Sequence, residues 1–485
     1  MANLSDDIRS IVVQVLKTYD VASLMTQAGK AGAPSLGRGS TPSLGNGIFY
    51  DIESAVTASV AAQQALGALP LDTRRRMIEA MRAASLQANE ALAAEAVAET
   101  GLGNLKDKQV KNALVATKTP GVEDIEPYAF SDEHGLTLTE RAPYGVIAAI
   151  TPVTNPTSTI ICNSLGMVAA GNTVVFNVHP NAKAVSCHLI ALLNEAIVRA
   201  GGPQNTLAAM ASPTIESAGE LMRHPRVALL VVTGGPGVVK AAMASGKKAI
   251  CAGPGNPPAV VDETANLAKA GQDIVDGASF DHNVVCICEK EVLAVASIAD
   301  RLKQEMRQAG AFELTGSQIE AVTRLAIPNP AGPRKESAPN RDFVGKSPQV
   351  IGRAAGIEVP PTARLLLMEV DLEHPLVWSE QLMPVLPLVR MRSADEAIDM
   401  AFQVEHGFRH TAMIHSHDIE KLSRMARIMN CSLFVKNGPC YAGLGQGGAG
   451  FTSFTIASPT GEGMTRARTF TRERRCTLVD YFRII

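Results

Sequence analysis

Apolar residues open the chain at spacings of three and four. Leu4, Ile8, Ile11, Val12, Val15, Leu16 and Tyr19 form one stripe, the pattern of an amphipathic helix over residues 1–20. Ser5 is placed to cap it, and Asp6 and Asp7 suit the positive end of its dipole. From about residue 21 to Gly47 the pattern gives way to Gly, Ser, Pro and Ala, which cannot bury enough surface to fold and predict a flexible linker. A short helix on a loose tether reads as a docking device; the alternative is a helix folded back on its own body. Its polar face carries Asp and Gln with only Arg9 and Lys17 as cations, which argues against a membrane surface.

Beyond the tether, Ile48 to about Leu105 is alanine-rich with helical periodicity, and Asp51 and Asp72 or Thr73 are the expected caps. Residues 131–141 alternate, as in an exposed strand or flap. Strands and helices then take turns. Strands are predicted at 145–150, 173–178, 207–210 and 227–232, and helices at 155–168 and 182–199. Such alternation implies a parallel sheet with crossover helices, whose ligands bind at the carboxyl ends of the strands. There lie Thr151-Pro-Val-Thr-Asn-Pro156, Asn177-Val-His-Pro180 and Thr233-Gly-Gly-Pro-Gly237.

A second α/β region runs from about Gly255 to Lys436, interrupted at 327–356 by a Pro-, Gly-, Lys- and Arg-rich stretch expected on the surface. Gly443 to Gly450 is a glycine-rich loop without the Lys-Ser/Thr of a phosphate loop, hence a backbone-approach loop of unknown target. The tail from Arg466 to Ile485 alternates again, with a basic patch at Arg472, Arg474 and Arg475. It has the character of a strand that adds to a partner's sheet.

Composition narrows the class. A length of 485 residues implies two or three domains, and 46% apolar residues suffice for large cores. A net charge of −2 favours neither nucleic acid nor an anionic membrane. No apolar run approaches the roughly 20 residues of a membrane span, and the start is acidic where a secretory signal would be basic. Eight scattered cysteines suit a reducing, cytoplasmic compartment better than a disulfide framework.

The candidate chemistry centres on Phe280-Asp-His-Asn-Val-Val-Cys-Ile-Cys-Glu-Lys-Glu291. Cysteine acts covalently as its thiolate, so it needs access and a lowered pKa. Asn283 could supply an amide donor, and a turn there could aim backbone N–H groups at an oxyanion. Taken alone, a cysteine among valines is more often a small buried hydrophobe. Cys288 adds ambiguity, because residues two apart share a face in an extended segment. Thr233-Gly-Gly-Pro-Gly237 follows a strand and opens a helix, yet by spacing it fits a plain tight turn as well as a pyrophosphate cradle. His410, His415 and His417 have no carboxylate at ligand spacing, so no metal is expected.

In combination the motifs become specific. Asn283-x-x-Cys286-x-x-Glu289-Lys290, Pro152-Val-Thr-Asn-Pro-Thr157, Ala252-Gly-Pro-Gly-Asn-Pro-Pro258 and Ser458-Pro-Thr-Gly-Glu-Gly463 resemble the CoA-acylating branch of the aldehyde dehydrogenase superfamily, nearest to the propionaldehyde and acetaldehyde dehydrogenases of bacterial microcompartments. The resemblance spans Ile48 to the C-terminus. It implies an α/β, aldehyde dehydrogenase-like fold: a Rossmann-type NAD domain (48–254, flap at about 131–141), a catalytic domain (255–436), and a return segment with an oligomerisation strand (437–485). It also implies Cys286 as nucleophile and Asn155 as oxyanion amide. Glu380 would touch the nicotinamide ribose, and Thr151, Pro152, His179, Thr233, Gly234 and Gly235 would line the dinucleotide.

Hydrolytic relatives carry a water-activating glutamate where this chain has Ala252, so coenzyme A rather than water should receive the acyl group. His179 stands where NADP users place lysine, which favours NAD. The N-terminal helix resembles an encapsulation peptide that would dock on a shell or cargo partner, placing the enzyme inside a microcompartment as a homo-oligomer, dimer or tetramer. The rivals are a hydrolytic or phosphorylating dehydrogenase of the same fold, and a non-catalytic cargo or scaffold protein. The length of the aldehyde and the role of Cys288 stay open.

Overall fold

A computed structural model describes residues 43–485. The expected docking helix at 1–20 and nearly all of the linker lie outside the described residues. The expected cap at Asp51 is present: its Oδ1 accepts the Ser54 N–H at 2.7 Å and starts helix Ile52–Gly67. Two local expectations need correction. Ile48 and Phe49 form a short strand beside Ala209 and Met210 rather than the start of a helix. The next helix, Leu71–Gln87, begins behind Pro70, so Asp72 and Thr73 fall inside its first turn. A proline can precede or open a helix but not sit within it, and that sets the boundary.

The first large sheet runs, edge to edge, Ser43–Gly45, Ile48–Phe49, Leu207–Met210, Thr173–Asn177, Val146–Ile150, Val227–Thr233 and Ala249–Ala252. Beyond the antiparallel pair at its edge, the strands are parallel. Val146–Ile150 is buried at every position, as a central parallel strand covered on both faces must be. Chain order reverses direction between Val146–Ile150 and Val227–Thr233. The crevice at a doubly wound sheet's carboxyl edge opens at such a reversal. Helix Pro156–Ala169, which leaves that edge, is buried over its whole length.

The second sheet is parallel throughout, in the order Ala311–Leu314, Leu365–Glu369, Val385–Met391, Glu291–Val295, Pro258–Val261, Thr411–His415 and Leu433–Lys436. Residues 253–257 link the last strand of the first sheet to a central strand of the second. The short connector therefore brings the carboxyl edge of one sheet to the amino edge of the other.

Two loops, 327–356 and the glycine-rich 443–450, differ from their expected settings. The stretch 327–356 is not merely a surface excursion. Gly345 donates its N–H to the Leu382 carbonyl at 2.9 Å, and its own carbonyl meets the Gly103 N–H at 2.9 Å and His282 Nδ1 at 3.0 Å, so this segment braces the loop that carries Cys286. The C-terminal strand Thr471–Val479 pairs along its length with Gly135–Pro143 of its own chain, which in turn pairs with Tyr128–Asp132. It forms one edge of that three-stranded sheet. The glycine-rich loop has an internal target: Lys118 Nζ donates to the Gly445 carbonyl, and to that of Gly448 at 3.4 Å.

Candidate active site

Helix Leu267–Ser279 delivers the chain to three successive non-glycine residues in the left-handed region, Asp281, His282 and Asn283, with φ of 47°, 53° and 66°. Such a run is costly and persists only where neighbours over-determine it. His282 Nδ1 meets the Gly345 carbonyl at 3.0 Å. Asn283 Nδ2 donates to the carbonyls of Ala278 at 2.8 Å and Glu289 at 3.1 Å, and Lys290 Nζ donates to the Asn283 carbonyl at 3.1 Å and to its Oδ1. Both amide hydrogens of Asn283 are thus engaged in shaping the loop, and it is not the donor that the local sequence offered.

The tight loop also separates the two cysteines. Cys286 keeps a partly open face, whereas Cys288 is fully buried with its Sγ 3.8 Å from the Phe280 carbonyl. The segment is not extended, so the two thiols do not share a face. Burial, then the Glu380 carboxylate, push the Cys286 thiol up to about 12, against an opposing pull from Lys290.

Asn155 precedes helix Pro156–Ala169 and is buried. Its Oδ1 accepts Lys111 Nζ at 2.6 Å, and its Nδ2 donates to Thr154 Oγ1 at 3.1 Å, leaving a second amide hydrogen unused. Lys111 also contacts Asp281, which Lys108 Nζ reaches at 3.1 Å. Burial opposes ionisation of Asp281, but the two lysines outweigh it and hold the carboxyl below its ordinary value. Burial and the charge of Lys111 push Lys108 down to about 8. None of this group was legible as a motif. Lys108 and Lys111 sit one helical turn apart, and only the fold places Asp281 against them.

The connector supplies the opposite wall. Gly255 donates its N–H to Glu380 Oε1 at 3.3 Å, and burial raises the Glu380 carboxyl to about 7. His410, which the sequence offered only as a rejected metal ligand, lies against the same glycine. Its Nδ1 pairs with Thr411 Oγ1 at 2.8 Å and its buried Nε2 has no protein partner. Burial, aided by Lys290, holds the ring down to about 4, so it is neutral at ordinary pH. Ala252 ends its strand beside Thr233 and brings no carboxylate. Among the described residues no three His, Cys, Asp or Glu side chains converge into a metal cluster, and no helix is long and apolar enough to cross a membrane.

The crevice holds the remaining candidates. Thr151 and Pro152 follow the central strand Val146–Ile150, and the buried Thr151 Oγ1 has no partner. Across the reversal point, Thr233 ends its strand and Gly235 caps helix Pro236–Met243 without any side-chain bond, leaving backbone N–H groups at a helix N-terminus. A Cβ at Gly235 or Gly237 would meet nothing within 4 Å, so the backbone there is approachable; one at Gly234 would strike Val238 Cγ1 at 2.7 Å. His179 is half-buried; its Nδ1 accepts the Asn181 N–H at 3.2 Å, and burial lowers its pKa. An uncapped helix start, open glycines and an orphaned hydroxyl fit a dinucleotide.

Two parallel sheets joined by a short connector, a partly open cysteine on a tight loop and a crevice whose residues fit a dinucleotide are the architecture of a cysteine-dependent dehydrogenase. The chain belongs to the aldehyde dehydrogenase family, whose model matches residues 46–454. It is 48% identical over 485 residues to an acetaldehyde dehydrogenase (acetylating) of Bilophila wadsworthia, covering 99% of each chain. A propanal dehydrogenase (CoA-propanoylating) of Citrobacter freundii is 47% identical over 440 residues, or 90% of this chain and 94% of that one. Among solved structures, the propionaldehyde dehydrogenase of Rhodopseudomonas palustris with bound CoA and an acylated cysteine is 47% identical, with a TM-score of 0.87 over 90% of this chain and 99% of its own. The propionaldehyde dehydrogenase from the fucose utilisation microcompartment of Clostridium phytofermentans is 46% identical, with a TM-score of 0.88 over 90% of this chain and all of that one.

Proposed function

We propose that this protein oxidises a short-chain aldehyde, acetaldehyde or propionaldehyde, to the acyl-CoA, using NAD and coenzyme A through a thioacyl form of Cys286. The carrying observation is the partly open Cys286 on a loop that Lys111 joins, through Asp281, to the Asn155 amide, together with the absence of a carboxylate at Ala252, where the strand before the connector ends. The names of the relatives above support the acyl acceptor and the size of the aldehyde. Residues 48–254 with 437–485 form the dinucleotide part in this reading and 255–436 the catalytic part. In support, one sheet ends at Ala252 and the next begins at Pro258, and Thr455 of the returning segment meets Thr233 at 2.8 Å.

Cys286 rests as a thiol and gives up its proton to solvent to react; Glu380, set against the nicotinamide ribose in this reading, opposes that loss by its charge. The thiolate adds to the aldehyde carbon, and the unused Asn155 amide hydrogen with the Cys286 backbone N–H holds the oxyanion. Thr151, Pro152, His179 and residues 233–235, with Glu380 at the ribose, would hold NAD, which would accept the hydride. His410, neutral and with a free Nε2, takes the proton from the incoming thiol. A base at position 252 would instead activate water, and general-base help is worth roughly 10²–10⁴-fold. The test is NADH formation from acetaldehyde and propionaldehyde with and without CoA, with products partitioned between acyl-CoA and acid. Wild type should make almost only acyl-CoA, and Ala252→Glu should raise the acid fraction. Free acid from the wild type at every CoA level would favour the hydrolytic rival.

The stripe of Leu4, Ile8, Ile11, Val15 and Tyr19 supports a docking helix for a shell or cargo partner, and the relative from a microcompartment supports that setting. Deleting residues 1–20 should leave turnover unchanged and release the enzyme from the compartment; retention would refute the docking role. Exposed Tyr128, Phe130, Leu478 and Val479 on the three-stranded sheet support a homo-oligomer, dimer or tetramer. Val479→Glu should shift the mass by sedimentation toward the monomer.

A further inference from the structure

Among the described residues, Lys111 is the one charged side chain that touches both the loop bearing Cys286 and the Asn155 amide. Its ammonium contacts Asp281 and lies 2.6 Å from Asn155 Oδ1, and both lysine and aspartate are closed to solvent. An ammonium has three donors and no acceptor, so the Asn155 atom facing it has to be the oxygen. We infer that Lys111, anchored by Asp281, is a positioning residue that locks the Asn155 amide with its oxygen turned away from the reacting carbonyl and its Nδ2 kept for the oxyanion. The inference rests on the reading of Asn155 as the oxyanion donor.

A primary amide is nearly symmetric in shape. Without a fixed donor on one side, Asn155 can turn over and present its oxygen, a partial negative charge, to a carbonyl that is itself becoming negative. Thr154 Oγ1 cannot prevent this, because a hydroxyl both donates and accepts and would pair with either end of the amide. The donor-only ammonium can prevent it.

Asp281 has a matching part. It is held by the Asn104 N–H at 2.8 Å, while its own N–H donates to Asp107 Oδ2 at 2.8 Å, so the loop bearing Cys286 and the helix bearing Lys111 move as one body. Lys108 completes the group, with Nζ 3.4 Å from the Thr154 carbonyl. With Asp107 beside the same group, two lysines face two aspartates, so what the group supplies to Asn155 is a fixed donor and not a net charge. A Cβ at Gly103 would lie 1.9 Å from Asp281 Oδ1, so the group occupies a fixed slot.

A double-mutant cycle on the full-length enzyme separates positioning from scaffolding. kcat and KM for acetaldehyde, with NAD and CoA saturating, are measured for wild type, Lys111→Met, Asn155→Ala and the pair. Loss of one oxyanion donor costs roughly 10²–10³ in kcat. Lys111→Met should therefore lower kcat by about 10²-fold, with KM little changed, and should have no further effect once Asn155 is alanine. An equal loss from Lys111→Met in both backgrounds, or wild-type kcat in the single variant, overturns the inference. Should Asn155→Ala itself turn over at the wild-type rate, the oxyanion reading fails, and that result is distinct. If Lys111→Met does not fold, the same cycle is run with Lys111→Arg, which keeps a donor-only side chain. It should retain more kcat than Asn155→Ala, and a loss repeated in full in the Asn155→Ala background refutes positioning.

Discussion

Gly255 and His410 are packed so closely that a Cβ on the glycine would lie 3.0 Å from His410 Cγ and 3.0 Å from the Cys286 carbonyl oxygen. One backbone position therefore sets the spacing between the thiol loop and the imidazole. Gly255→Ala meets no left-handed strain, so its effect is steric alone. Overpacking of this kind costs about 1–3 kcal/mol. The expected result is a modest fall in melting temperature and a larger fall in kcat, because the two groups are pushed apart. Unchanged kcat in Gly255→Ala would show that their spacing is not critical.

Cys286→Ala should abolish turnover and formation of the acyl-enzyme, read by mass spectrometry after brief exposure to aldehyde and NAD. Cys288→Ala should keep substantial turnover and lose about 1 kcal/mol of stability, as a small buried side chain would. Comparable loss of turnover in both variants would reject Cys286 as the sole nucleophile.

Glu380 raises the Cys286 thiol pKa, second only to burial. In Glu380→Gln the thiol should ionise at lower pH. The rate of alkylation by iodoacetamide, followed against pH without nucleotide, should shift its midpoint downward relative to wild type. An unmoved or raised midpoint would mean that the carboxylate does not act on the thiol.

Glu289 accepts the Cys440 N–H at 2.9 Å, and burial raises its carboxyl from an ordinary 4.5 to about 7. Between those values the folded protein binds more protons than the unfolded chain. This group's contribution therefore falls as pH rises from about 4.5 and levels off above about 7. Glu289→Gln keeps an acceptor oxygen and removes the titration. Its stability relative to wild type should rise across that window, by up to about 1.4 kcal/mol per pH unit, and then stay flat. A difference between the two proteins that does not vary with pH would refute this assignment.

The alternation of apolar strands with amphipathic helices was enough to place four of the first sheet's seven strands within a residue or two, but not Ser43–Gly45, Ile48–Phe49 or Ala249–Ala252. Strand and helix periods are local properties of the chain. The glycines at 234, 235 and 237 were legible for the same reason, since a turn into a helix N-terminus is encoded by neighbours. The motif around Cys286 pointed to a nucleophile only in company with distant motifs; its own residues misled, because Asn283 reads as a donor until the fold engages both its amide hydrogens. What the sequence could not decide was long-range pairing. Nothing local tells Asp281 that its partners are Lys108 and Lys111, 173 and 170 residues earlier, or tells His410 that it will lie against Gly255. Those encounters follow from the order in which strands enter two sheets, and burial there sets the charge states. The chemical inventory was written in the residues, while the orientation of Asn155 and the protonation of the thiol are consequences of tertiary packing.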